Sequence, residues 1–169
     1  MKKKLLFIFA SALAICQTQA QTKDAWTTSK DGTNKMATDK AVTRQSFPKE
    51  FKLYDLNTQS MRETLFSTKN NLSKNKTIIS LPNTEGQIED FEIHEDSNFE
   101  DDLQARFPEI RAYSGKGITD KYATLKLSIS PQGIQTMIFR TDKENEFIEP
   151  YSQDHTVYAV FKSQREKGK

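Results

Sequence analysis

From Ala123 to Ile129 the apolar residues Ala123, Leu125, Leu127 and Ile129 fall at every second position, with Thr124, Lys126 and Ser128 between them. A period of two sends alternate side chains to opposite faces, so this stretch is an extended strand with one face buried. Ser130-Pro131-Gln132-Gly133 supplies turn residues directly after it, and IQTMIFR, Ile134 to Arg140, resumes the apolar run. Strand, tight turn and strand make a hairpin, which commits the chain to antiparallel sheet.

The neighbouring segments obey the same grammar. FKLYDLN sets Phe51, Leu53 and Asp55 against Lys52, Tyr54 and Leu56, which predicts a strand. TQSMRETLF then spaces Met61, Leu65 and Phe66 for a helix, with Asn57 or Thr58 as its N-cap. After the polar turn STKNNLSKNK, KTIISLP is a short strand and PNTEG a turn. GQIEDFEIHE is a strand with Ile88, Phe91 and Ile93 pointing inward. SNFEDDLQARF repeats Phe99, Leu103 and Phe107 at four-residue intervals with acids at its start, predicting a two-turn helix closed by Pro108. EIRAYSG, EFIEPYS and TVYAVFK are further strands. Short strands, tight turns and two brief helices predict an α+β fold with a mainly antiparallel, meandering sheet.

The start of the chain carries a different signal. Lys2, Lys3 and Lys4 precede an apolar run from Leu5 to Ile15, and Thr18 and Ala20 place small residues at −3 and −1. This is the layout of a cleaved secretory signal, too short to cross a bilayer. Cys16 leaves a lipid anchor as the alternative, although Ile15 stands where a lipobox takes a small residue. The expected organisation is a signal peptide over 1–20, a flexible lead-in over 21–46 containing Trp26, an α+β domain over 47–162, and a charged linker or tail over 163–169. The expected address is periplasmic or extracellular, with no membrane association after signal cleavage.

Loss of the signal removes three of the 25 Lys and Arg and none of the 23 Asp and Glu, leaving 22 against 23 and a net charge of −1. No basic field remains for nucleic acid. The single cysteine leaves too, so the mature chain has no disulfide, no thiolate nucleophile and no cysteine metal ligand. About 150 residues can bury roughly 70% of their surface and need no such staple.

No chemical motif is complete. Ser114-Gly115-Lys116-Gly117 lacks the GxxxxGK[ST] spacing and the following helix of a phosphate loop, so it reads as a glycine-permitted turn or bulge between strands. His94-Glu95 begins like HExxH, but Asn98 stands at the second histidine position. Ser114, Asp154 and His155 can be named as a triad, yet no GxSxG elbow supports them. Glu95, Asp96, Glu100, Asp101 and Asp102 lack the ligand rhythm of a calcium loop and suit a helix start. Two glycosylation sequons, Asn71-Leu72-Ser73 and Asn75-Lys76-Thr77, fit an exposed loop. The residues therefore predict no enzyme, no cofactor and no metal.

The blocks FKLYDLN, MRETL, IISLPNTEG, FEIHE, FPEIRAYSGKGI, LSISPQGIQTMIF, IEPYS and YAVF, in that order, resemble the N-terminal propeptide domain of secreted bacterial reprolysin-like zinc metalloproteases. The resemblance runs from Phe47 to Phe161, and its most specific parts are Pro108 to Ile118 and Ser130 to Gly133. It implies a non-catalytic domain that assists the folding of a zinc metalloprotease catalytic domain or keeps it latent. That partner is in cis in the family and is expected here in trans or missing, because HExxHxxGxxH does not occur before Lys169. A cysteine switch of the animal type is excluded by the lack of a mature cysteine. Tyr113, Ser114, Gly115 and Lys116 are the expected partner-contact loop. A stand-alone secreted or cell-surface binding module, with an exposed aromatic patch around Tyr54, Tyr113 and Tyr151, remains the alternative. A small hydrolase using Ser114 or His155 is the third reading.

Overall fold

The computed structural model describes residues 23–30, 48, 50–68, 77–97 and 99–163. The signal segment, the alternative anchor Cys16, both sequon asparagines and the tail beyond 163 lie outside the described residues.

Nine strands form one antiparallel sheet: β1 (Trp26–Thr28), β2 (Lys52–Leu56), β3 (Thr77–Pro82), β4 (Ile88–Glu95), β5 (Arg111–Gly117), β6 (Thr124–Ser130), β7 (Gly133–Phe139), β8 (Glu146–Pro150) and β9 (Val157–Lys162). Helix α1 (Thr58–Ser67) follows β2, and α2 (Asp101–Arg106) lies between β4 and β5. The spatial order is β1-β2-β9-β8-β7-β6-β5-β4-β3. Thus β3 to β9 meander in chain order, and the last strand returns beside β2.

The α+β expectation holds, but the sheet is nearly a barrel instead of a plain meander. Twist accumulates across successive strands and curls a wide sheet on itself. Here it brings β1 and β3 together, and the Trp26 indole donates to the Ser80 carbonyl across the seam. The segment expected to be a flexible lead-in therefore supplies an edge strand, with Trp26 buried against Tyr158 at a ring separation of 5.4 Å.

Alternation in each strand decides what faces the interior. Ile79 and Leu81, Phe91 and Ile93, Leu125, Leu127 and Ile129, and Ile134 and Ile138 are all buried there. In β2 the inward residues are Tyr54 and Leu56. In β4 Glu89 shares the inner face with Phe91 and Ile93, and Ile88, at the strand's start, is half-buried and packs against the same core. Helix α1 adds Met61 and Leu65, both without exposed surface. The Asn57 side chain caps it by accepting from the Ser60 N–H at 3.1 Å, and the Asn57 N–H donates to the Ala25 carbonyl at 2.7 Å. Each fully buried aliphatic side chain contributes roughly 1.5–3 kcal/mol.

The outer face is also covered along β9. Val157, Ala159 and Phe161 are buried there, and Phe147 stacks on Phe161 at 5.5 Å. Helix α2, by contrast, is present as predicted but buries none of its residues, and Phe99 and Phe107 at its ends are exposed.

Candidate functional site

Ser114 to Gly117 is not a corner and the four contact residues are not a loop. They lie inside β5, paired on one side with Glu92 to Glu95 and on the other with Thr124 to Leu127. Tyr113 points inward, where its hydroxyl donates to the Leu65 carbonyl at 2.8 Å. Burial, with the Glu95 charge adding to it and Arg111 and Arg62 partly offsetting it, pushes the Tyr113 phenol up to about 12. Gly115 also faces inward, and a Cβ there would sit 2.9 Å from Ile93 Cγ2 and 3.1 Å from the Glu92 carbonyl oxygen. A Cβ on Gly117 would lie 1.9 Å from the Asp120 carbonyl oxygen. These glycines permit close approach, while the chain reverses at residues 118–123. Only Ser114 and Lys116 of the four project outward.

Register then creates a cluster that spacing alone does not reveal. Ser114 pairs with Lys126 across β5 and β6. The Ser114 hydroxyl donates to Asp96 in a short hydrogen bond. Lys126 Nζ donates to Asp96 Oδ2 at 2.9 Å and to Ser114 Oγ at 2.6 Å. Asp96 and Lys126 border an outer-face cleft of about 460 Å³, which Met137, Phe147 and Glu149 also line. A serine–lysine pair reacts only when the amine is neutral and can take the hydroxyl proton. Lys126 is 57% exposed, and its Nζ is already engaged by the Asp96 carboxylate at 2.9 Å. Hydrogen bonds from Ser114 and Lys126, and the Lys126 charge, hold the Asp96 carboxyl below its usual range. This arrangement ties the three side chains to one another across the β5–β6 ladder.

His155 lines a different cleft, of about 350 Å³, between the first turn of α1 and the β6–β7 hairpin. The structure therefore does not bring Ser114 and His155 together. Asp154 is occupied locally: it accepts from Ser152 Oγ at 2.5 Å and from Thr156 Oγ1 at 2.8 Å, which lowers its pKa. It braces a turn in which His155 adopts a φ of 57°, and so does not orient an imidazole. Glu95 pairs with Arg111 at 3.3 Å. Among the described residues no three His, Cys, Asp or Glu side chains converge as metal ligands.

The densest polar cluster escaped the sequence reading. Arg140 has no exposed side-chain surface and contacts Glu89 at 2.5 Å, Asp120 at 2.9 Å and, more closely still, Glu146. Asn83 Nδ2 donates to Glu89 at 3.1 Å, and the Thr84 N–H donates to Glu146 at 3.0 Å. Burial raises the Glu146 pKa, but the Thr84 hydroxyl and N–H and the Arg140 guanidinium more than offset it, and the carboxyl stays low. Asp120 is likewise raised by burial and lowered, on balance, by Arg140 and the Tyr122 N–H. The network fastens the β3–β4 turn to β7, β8 and the β5–β6 turn, and so closes one end of the barrel. A signal existed: Glu89 and Arg140 each fall in step with inward apolar residues of their strands.

The expected aromatic patch does not form. Tyr54 and Tyr113 are buried, and Tyr151 lies against Phe51 at 5.6 Å. Among the described residues the exposed large apolar ones are Phe99, Phe107, Ile118, Tyr122 and Phe139, with Tyr122 the most open at 79%.

No family model, curated protein or solved structure matches this chain. No helix among the described residues is long and apolar enough to cross a membrane.

Proposed function

We propose that this chain is an exported, non-catalytic propeptide-like domain that assists the folding of a secreted zinc metalloprotease catalytic domain or keeps it latent. The observation that carries the reading is the placement of the resembling blocks. Pro108 to Ile118 forms β5 and its approach, and Ser130 to Gly133 turns β6 into β7, so the most specific blocks build adjacent strands of one sheet. A partner stabilised by binding such a surface needs no reactive group from it, only complementary shape and charge.

Co-expression of residues 21–169 with a reprolysin-type catalytic domain tests this. The expected result is a higher yield of folded protease, lower peptide hydrolysis while the two are bound, and co-elution on a sizing column. Unchanged yield and hydrolysis together with separate elution would remove the proposal. A double replacement of Ser114 and His155 should leave both effects intact, and loss of an intrinsic hydrolytic activity in that variant would favour the hydrolase reading instead.

A second reading, a stand-alone secreted binding module, draws on the interior. Twenty buried apolar residues among the described ones form one cluster. On that reading the domain folds alone and binds a ligand of its own, and the catalytic domain has no effect on it.

A further inference from the structure

We propose that the excursion between β4 and β5, residues 99–109 around α2, is the surface on which the partner docks, and that the partner presents an apolar groove with a cationic rim. This deepens the function proposed above and rests on it: the occupant is the protease catalytic domain.

Two features coincide in these eleven residues. Phe99 and Phe107 flank α2 at 39% and 40% exposure, and the helix buries no residue against the barrel. Between and beside the two rings stand Glu100, Asp101, Asp102 and Glu109, none of them in an ion pair among the described residues. Arg106 is the one basic residue of the stretch, and its guanidinium lies over the Phe107 ring at 6.0 Å. The acids at the foot of the excursion behave differently, since Glu95 and Asp96 are matched to Arg111 and Lys126. Exposed rings gain from burial, and uncompensated carboxylates gain from opposing cations. A basic-rimmed apolar groove supplies both at once. Phosphate backbones and anionic lipid surfaces are repelled by the same carboxylates.

The other exposed apolar residues, Ile118, Tyr122 and Phe139, belong to the β5–β6 turn and the end of β7 and provide an internal control. Binding of residues 21–169 to a purified reprolysin-type catalytic domain with a basic surface can be followed by calorimetry and stopped-flow. F99S/F107S should weaken affinity about tenfold or more. E100Q/D101N/D102N should slow association and flatten its salt dependence. Y122S/F139S should bind like the wild type. Because none of the replaced side chains is buried, the unfolding midpoints of the first two variants should stay close to the wild type, and the charge variant carries the test should F99S/F107S fail to fold. Wild-type binding that neither α2 variant weakens overturns the surface and leaves the function standing. No binding by the wild type overturns both.

Discussion

The Trp26 indole N–H donates to the Ser80 carbonyl oxygen at 2.9 Å, joining the two outermost strands of a nine-stranded sheet that share no backbone ladder. The ring also packs edge-on against Tyr158, with planes 83° apart. One side chain thus bridges the seam and fills it. Trp26→Phe keeps a ring and drops the donor, and should cost about 1 kcal/mol. Trp26→Ala opens the seam and should cost roughly 3–5 kcal/mol. Urea unfolding midpoints would separate the two, and equal losses would show that the hydrogen bond, not the packing, is what matters.

Arg140→Met should destabilise by about 3–5 kcal/mol, because Glu89 and Glu146 stay buried without their cation. The pH dependence gives the sharper signature. Glu146 and Asp120 have lowered pKa values in the folded wild type, so they add stability above the ordinary carboxylate range, near pH 4, and lose it as pH falls through the lowered values. In Arg140→Met the Thr84 donors still hold Glu146 but the guanidinium no longer helps to offset burial, so the loss of stability on acidification should shrink. Denaturant midpoints followed from about pH 5 to below about pH 4 should fall in the wild type and fall less steeply in the variant, and parallel slopes would contradict the network.

Glycines in β5 serve spacing. Gly115→Ala should cost roughly 1–3 kcal/mol through contact with Ile93, and Gly117→Ala more, since its obstacle is the backbone oxygen of Asp120. Lys116→Ala, at an exposed outward position between them, should stay within about 0.5 kcal/mol. Thermal midpoints of the three variants provide the check. A large loss at Lys116 with none at Gly117 would reverse this assignment.

Tyr113→Phe removes one of the two donors to the Leu65 carbonyl, the Thr68 N–H remaining at 3.1 Å, and should cost about 1 kcal/mol near neutral pH. The wild-type phenol is held at about 12, above its ordinary value. Its stabilisation is therefore complete below about pH 10 and declines as pH rises through the folded value. The difference between wild type and variant should narrow in that alkaline range, and a constant difference would exclude titration of Tyr113 as the cause.

Much of the fold was legible because its causes are local. Alternation along Ala123 to Ile129 named the buried face of β6, Asn57 named the cap of α1, and Gly133, at a φ of 101°, marked the hairpin. The site was less legible. Tyr113 to Lys116 carry turn-like residues, yet they extend into a strand because two neighbouring strands claim their backbone groups. Lys126 meets Ser114 only through the pairing register. Phe99 and Phe107 show a helical spacing that predicts burial, yet they flank a helix of only six residues and stay exposed, with Leu103 and Gln104 between them no more than half-buried.

Side-chain period, caps and turn residues, all set within a few residues of chain, determined strands β2 to β9, both helices and the antiparallel pairing. Closure was decided elsewhere. The meeting of Trp26 with Ser80, and of Arg140 with Glu89, Asp120 and Glu146, depends on how much twist nine strands accumulate together. Twist adds up over the whole sheet, so no single segment encodes which distant residues it will bring into contact.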